Sequence, residues 1–151
     1  MRELRILITG ASGEIGQATA RLLRERGHRV AGIDKDSAPG VLTADLRDRV
    51  QARDAVHQAT EQLGGLDVLV NNAGLAALQD SGLEPTEQTR AIMEINFFGT
   101  WTVTAAAIPA LLETRGRIVN VASMLVFLDL PLMAAYSASK RAVAALADAL
   151  R

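Results

Sequence analysis

The sequence predicts an α/β fold, a doubly wound parallel sheet with strand order 3-2-1-4-5. Three observations predict it. Short apolar runs alternate with longer segments of helical period along the chain. Those runs are apolar at successive positions, as in strands buried on both faces by crossover helices. The glycine-rich and polar stretches fall where strands end, after residues 9, 34, 45, 71 and 123. In a parallel sheet wound by right-handed crossovers, such ends gather along one edge.

Each element has its own signal. LRILIT, residues 4–9, is apolar and β-branched and leads into a glycine loop. Residues 11–27 have helical period, with Ile15, Thr19, Leu22 and Leu23 on one side and Gly27 as the stop. RVAGID (29–34) is a second strand ending in an acid, and GVLTADL (40–46) a short third. Residues 47–63 form a polar helix closed by Gly64 and Gly65. DVLVNNAG (67–74) is a fourth strand running into a turn. A loop over 75–85 carries Gly82 and Pro85, a long helix covers 87–114, and Gly116 follows. RIVNVAS (117–123) is the fifth strand, and a last helix starts near Ala134 and runs to Arg151. No repeat or low-complexity linker interrupts this order, so residues 1–151 read as one domain, long enough to enclose a core.

Composition narrows the functional classes. A net charge of −1 gives no electrostatic reason for a nucleic-acid or membrane-surface partner. Arg21, Arg24, Arg26 and Arg29 gather on the first helix and its exit and read as a solvated face. The absence of cysteine excludes disulfides, thiolate zinc sites and thiol catalysis. No cluster of histidines and carboxylates suggests a metal, and His28 and His57 fall on surface segments without an assigned role. The first strand starts at Leu4, leaving no room for a secretory leader. The apolar stretch 119–136 is broken by Asn120, Ser123, Asp129 and Pro131, which argues against a membrane span. The expectation is a cytoplasmic protein without a membrane partner.

TGASGEIG (9–16) supplies Gly10, Gly13 and Gly16 between a strand and a helix. Such glycines permit a tight turn and close backbone approach to a pyrophosphate, facing the free N–H groups of the helix start. Alone, the loop is also an ordinary strand–helix connection. Asp34, ending the second strand, adds a carboxylate suited to a ribose 2′-hydroxyl and repulsive to a 2′-phosphate. Its simpler role is a strand-end turn former. Asp45 has two readings of equal weight, a contact to an adenine amino group or a helix N-cap.

Taken together, these motifs resemble the short-chain dehydrogenase/reductase family over the full chain. TGASGEIG resembles its cofactor loop, with Ser12 and Ile15 among the contacts. Asp45-Leu46 is similar to its adenine-contacting pair, and NNAG (71–74), with Asn72, Ala73 and Gly74, to the motif after its fourth strand. Asn96 in EIN (94–96), Ser123, and Tyr136 and Lys140 in YSASK (136–140) match its catalytic residues. Glu14 stands where short members usually carry glycine, and Gly13 falls one place earlier. The resemblance implies a Rossmann-like fold that lacks the family's C-terminal strands and substrate-binding segment.

The residues also carry a chemical argument of their own. Tyr136 and Lys140 lie one helical turn apart, on one face. A free phenol is a poor base at neutral pH, and a neighbouring ammonium favours its ionised form. Tyr136 can then exchange a proton with an alcohol or carbonyl while hydride moves to or from a nicotinamide. Ser123, leaving the fifth strand, can bind the substrate oxygen, and Lys140 can hold the nicotinamide ribose. By resemblance, Asn96 positions a water that continues the relay. Taken singly, Tyr136 is also a helix-start aromatic, Lys140 a solvated charge and Ser123 a turn cap. Met124, Leu125, Val126 and Leu130 suggest an apolar wall beside the site.

The function expected is an NAD(H)-dependent oxidoreductase interconverting a secondary alcohol and a carbonyl. The alternative is a truncated nucleotide-binding or assembly domain with little or no turnover. Asp34 selects NAD as cofactor. The long helix is apolar on more than one side, through Ile92, Ile95, Phe97, Phe98, Trp101, Val103, Ile108, Leu111 and Leu112. The last helix offers small residues for close approach. A homodimer or homotetramer through the helices at 87–114 and 134–151 is therefore expected.

Overall fold

The structure is a computed structural model and describes residues 2–80, 82, 84–128 and 130–151. Asp129, one of the polar interruptions noted above, lies outside the described residues. The elements run β1 (Arg5–Thr9), α1 (Glu14–Glu25), β2 (Arg29–Asp34), β3 (Val41–Thr43), α2 (Arg49–Leu63) and β4 (Val68–Asn71). They continue with α3 (Glu87–Met93), a π-helical stretch (Glu94–Gly99), α4 (Thr100–Thr114), β5 (Arg117–Asn120), a 3₁₀ turn (Met124–Val126) and α5 (Ala134–Ala149). The sheet has five strands in the order β3-β2-β1-β4-β5, every pair parallel. That is the expected order.

Register divides each strand between two faces. Leu7, Ala31, Ile33 and Leu69 point to one side, into a core with Ala52, Val56, Leu63, Val103, Ala107 and Leu111 of α2 and α4. Ile6, Ile8 and Val30 point to the other, where Ala20 and Leu23 of α1 cover them with Val68 and Val70 at the margin. β5 is the outer strand on its side, and Val119, in register with Val70, is 48% exposed.

Two helices differ from their sequence reading. α1 was expected to turn Ile15, Thr19, Leu22 and Leu23 inward. Its buried positions are Gly16 and Ala20, with Thr19 and Leu23 half-buried, whereas Ile15 and Leu22 face outward. The reason is the close seat of the helix start on the glycine loop, which admits only small residues at the contact (below). Residues 87–114 form one run of 28 residues, long and apolar enough on those measures to cross a membrane. Ile92, Val103, Ala107 and Leu111 face the core, while Phe98, Trp101 and Leu112 are exposed. The exposed apolar side expected of this helix is present. The π-helical stretch inside it was not foreseen.

The end of the sheet away from the strand C-termini is fastened by charge. Asp67 is buried, and its Oδ2 accepts from Arg5 Nε at 2.8 Å and from the Arg5 backbone N–H at 2.9 Å. Its Oδ1 accepts from Arg5 at 3.1 Å and Arg2 at 3.0 Å. Its own backbone joins Arg5 to Arg117, linking β1 and β5 through one residue. His28 also acts here, its Nδ1 accepting from the Leu4 N–H at 3.3 Å. Arg21, Arg24, Arg26 and Arg29 are exposed as expected, Arg24 donating to the carbonyl of Val30 and Arg29 to that of Gln62.

The Arg5 guanidinium holds the Asp67 carboxyl down to about 2, from an ordinary 3.8. A depressed carboxyl stabilises the fold above its unfolded pKa and loses that contribution as pH falls through the folded value. Asp67→Asn is expected to cost about 2 kcal/mol at pH 7, with the gap to wild type closing as pH falls from 4 towards 2. Urea unfolding at both ends of that window checks it, and a gap independent of pH would rule out the charge as its source.

Candidate active site

Polar residues concentrate where β1 and β4 lie side by side, because the chain leaves them in opposite directions and opens a crevice. A side-chain staple closes its floor. Thr9 Oγ1 accepts from the backbone N–H groups of Asn72 and Ala73, each at 3.1 Å. Asn72 Nδ2 donates back to the carbonyls of Thr9 and Gly10, at 3.1 and 3.2 Å. Gly10 has φ +67°, and a Cβ there would stand 2.8 Å from Ala73 Cα. The staple therefore requires glycine at position 10.

From Gly10 the chain turns into α1. A Cβ on Gly16 would stand 2.1 Å from the Gly10 carbonyl oxygen, so the helix start lies directly on the loop. Gly13 differs. Its φ of −74° suits any residue, and the nearest atom a Cβ would meet is 3.5 Å away. Nothing inside the chain requires glycine there. What a side chain would occupy is the space above the loop. Gln17 makes the first helical bond, back to Gly13, leaving the N–H groups of Glu14, Ile15 and Gly16 without a helical acceptor.

A cleft of about 500 Å³ extends from this loop along the strand ends. Gly10, Ser12, Gly13, Ile15, Gly16, Asp34, Asp45, Leu46, Asn72, Ala73 and Gly74 line it, bringing together these expected cofactor residues. It is lined too by Glu14 of the glycine loop and by Lys35, beside Asp34, and by Asp36, Ala44, Leu75 and Ile95, which sequence reasoning did not place there. Asp36 follows Lys35, and Ile95 adjoins Asn96, so adjacency was the available signal. The exposed helix-start carboxylate of Glu14 meets the cleft, adding to an acid-rich lining in which Lys35 is the one cation among the described residues. Lys35 Nζ pairs with Asp36 at 2.7 Å, which raises its pKa.

Asp34 makes the strand-end turn that one of its readings gave it. One carboxylate oxygen accepts from the Ser12 N–H at 2.9 Å, the other from the Asp36 N–H at 3.1 Å. It thus makes the strand-end turn and also fastens the glycine loop, with Ser12 Oγ donating to the Asp36 carbonyl. Asp45 is not a helix N-cap, contrary to one of its readings. Asp48 caps α2, accepting from Val50 and Gln51, because the chain needs three more residues to turn from β3 into the helix. Asp45 instead pairs with Arg47, which lowers its carboxyl pKa chiefly through the side-chain hydrogen bond.

Asn96 sits within the π-helical stretch, 1% exposed. Its Oδ1 accepts from the Leu75 N–H at 2.7 Å, and its Nδ2 donates to the Leu75 carbonyl at 3.0 Å and to Ser139 Oγ at 2.9 Å. Ser139 Oγ donates in turn to the Tyr136 carbonyl at 2.7 Å. One amide therefore ties the segment after β4 to the helix bearing Tyr136. Ser139 is a further residue the sequence reading missed, although YSASK contains it.

Lys140 is 6% exposed, and burial lowers its pKa. Its Nζ donates to the Val121 carbonyl at 2.9 Å and lies 5.8 Å from the centre of the Tyr136 ring. Gly74 passes it closely, since a Cβ there would come within 3.4 Å of Nζ and 3.5 Å of Asn96 Oδ1. Lys140 is thus no solvated charge. Ser123 Oγ accepts from the Leu125 N–H at 3.2 Å and caps the 3₁₀ turn, which leaves its own proton available for donation. Of the apolar wall, Leu125 is buried, while Met124 and Leu130 are exposed.

A profile of the short chain dehydrogenase family matches residues 5–151. The chain is 36% identical over 151 residues to 3-ketodihydrosphingosine reductase of Bacteroides thetaiotaomicron, covering 96% of this chain and 56% of that protein. The ligand-free structure of Thermoplasma acidophilum aldohexose dehydrogenase superposes with a TM-score of 0.90 at 28% identity, over 98% of this chain and 60% of that one. An NAD⁺-bound xylitol dehydrogenase superposes at 0.86 with 31% identity, over 93% and 61%. The chain thus spans little more than half the length of these relatives.

The two loop glycines separate by experiment. Gly16→Ala should destabilise the fold by about 1–3 kcal/mol, as an overpacked contact does. Gly13→Ala should shift stability by no more than about 0.5 kcal/mol. Urea unfolding of both variants checks this; equal effects would mean that the loop is not seated as described.

Proposed function

The chain belongs to the short-chain dehydrogenase family, and we propose that it acts as an NAD(H)-dependent oxidoreductase interconverting a secondary alcohol and a carbonyl. The observation that carries the reading is Lys140, a buried ammonium 5.8 Å from the centre of the Tyr136 ring and close to Gly74, a residue that lines the cleft. A buried charge without an anionic partner is costly and persists where the chemistry beside it uses it.

The residues of the cleft suit a dinucleotide. The loop 10–16 and the N–H groups of α1 would receive the pyrophosphate, Asp34 the adenine ribose, and Asp45 with Leu46 the adenine end. Asn72, Ala73 and Gly74 would line the path towards the nicotinamide. The acid-rich lining supports NAD over its 2′-phosphorylated form, because Asp34 and Asp36 oppose an added phosphate while Lys35 is already paired. The bound nicotinamide supplies the hydride acceptor or donor. Tyr136 gives its phenolic proton to the carbonyl oxygen in reduction and recovers it from the alcohol in oxidation. Lys140 stabilises the phenolate left in between and holds the nicotinamide ribose. Ser123 donates to the substrate oxygen, and Asn96 keeps the loop and helix in register while the family's water relay passes beside it.

We also read the exposed apolar side of 87–114, together with α5, as the contact between copies. Phe97 stacks at an angle on both Phe98 and Trp101, with centroids 5.0 and 5.5 Å apart, making an aromatic ridge of which Trp101 is half exposed.

NADH oxidation across a panel of small ketones and aldehydes tests the activity. Wild type should bind NADH more tightly than NADPH and consume it, and Tyr136→Phe should lower turnover by about 10³-fold or more with NADH affinity retained. NADH binding without turnover on any carbonyl would instead support a nucleotide-binding domain. Light scattering at micromolar concentration should give a dimer or tetramer that Trp101→Glu dissociates. A dimer indifferent to that change would move the interface elsewhere.

A further inference from the structure

The two segments that flank the reacting groups are apolar and expose that character to solvent. One follows β4. Leu75 comes directly after Gly74, which passes close to Lys140, and Asn96 holds it through both its backbone groups. The other leaves Ser123 and returns to α5, the helix of Tyr136. Leu78 on the first segment is exposed, as are Met124, Phe127, Leu128, Leu130 and Leu132 on the second, Phe127 to 81%. Apolar residues exposed singly need no explanation, but six of them on two joined segments beside a reactive centre do.

Hydrogen bonds hold these segments in place. The Gln79 N–H donates to the Leu132 carbonyl at 2.8 Å and joins one segment to the other. Arg141, next to Lys140, donates from Nε to the Val126 carbonyl at 3.1 Å and ties the 3₁₀ turn to α5. Ser123 Oγ caps that turn, and the buried Leu125 roots it.

Hydrogen-bonding side chains are scarce here. Among the described residues of 75–79 and 124–133, Gln79 alone carries an amide, hydroxyl or charge in its side chain, and it is engaged. Its Oε1 accepts from Thr89 at 2.9 Å and its Nε2 donates to Thr86 at 3.4 Å. A substrate lying on these segments finds Ser123 and Tyr136 at one end and hydrocarbon along the rest. A polyhydroxylated chain would give up water from its hydroxyls with nothing to replace it, which is costly. An alkyl chain would gain by leaving water.

We infer that the substrate is lipophilic: a ketone, or the corresponding secondary alcohol, whose alkyl chain lies on Leu78 and the 127–132 wall, and not a sugar or polyol. The inference rests on the oxidoreductase reading above and adds the substrate class to it.

A series from 2-butanol to 2-decanol, titrated calorimetrically into the protein saturated with NADH, tests this without turnover, because an alcohol and a reduced nicotinamide exchange no hydride. Kd should fall by about two- to fourfold for each added methylene, the upper figure being that of a fully buried one. The double variant Phe127→Ser, Leu130→Ser should flatten the slope with NADH affinity retained, since both positions are exposed and lie outside the cofactor cleft. Ser123→Ala should weaken every member by one common factor, on the order of fivefold, because it acts on the shared hydroxyl end. Affinity independent of chain length would overturn the inference, as would a hexitol that binds as tightly as 2-hexanol. A slope that survives the double variant, or affinities that Ser123→Ala leaves unchanged, would place the alkanols on another apolar surface and overturn it too. Failure of wild type to bind NADH would remove the oxidoreductase reading itself, and the inference with it.

Discussion

The staple between the ends of β1 and β4 is the constraint on which the site depends. Parallel strands that diverge into opposite crossovers leave their terminal N–H and C=O groups unpaired by the sheet, and buried unpaired groups are costly. Thr9 and Asn72 satisfy four of them with two side chains. The same bonds fix the distance between the glycine loop and the NNAG turn. Gly10 and Gly16 follow as steric consequences, since both approach neighbouring backbone too closely for a Cβ. Gly13 does not follow from the staple, since its φ of −74° and the 3.5 Å clearance of a Cβ there suit other residues.

Two buried charges show opposite uses of the same physics. Asp67 is surrounded by two arginines and a backbone N–H, and its depressed pKa records a satisfied ion. It holds strands together where no cleft opens. Lys140 has one neutral carbonyl as partner, and burial alone moves its pKa. The first arrangement gains stability from the charge. The second holds a charge near a phenol at a cost the rest of the fold offsets. Asn96 makes this tolerable by locking the surrounding segments with three hydrogen bonds from one amide. The π-helical stretch carries that amide, in keeping with the association of such stretches with functional positions.

The surfaces are uneven in a way the sheet explains. α2 and α4 bury one face across β1, β2 and β4, whereas α1 covers the other only over its inner strands. The aromatic ridge of 97–101 and the exposed valine of β5 lie at the margins of these layers. Apolar side chains there are what remains when each layer has covered as much as its length permits.

The sequence by itself determined the order of the strands, the location of the cleft at their C-terminal ends and most of the residues that line it. These depend on period, on handed connections and on glycines beside strand ends, all local signals. It also places Asn96 in mid-helix, where Asn is a poor residue. Only the tertiary structure decided what Asn96 holds, because its partners, Leu75 and Ser139, are distant in sequence. The inward face of α1 was decided the same way: period alone favoured Ile15 and Leu22, and the close seat on Gly10 selected Gly16 and Ala20. The two readings of Asp45 were equal in the sequence. The cap went to Asp48 and the carboxylate to Arg47, since the path from β3 into α2 fixes which acid reaches the free N–H groups. Side-chain partnership between remote segments is a property of packing, and local pattern does not encode it.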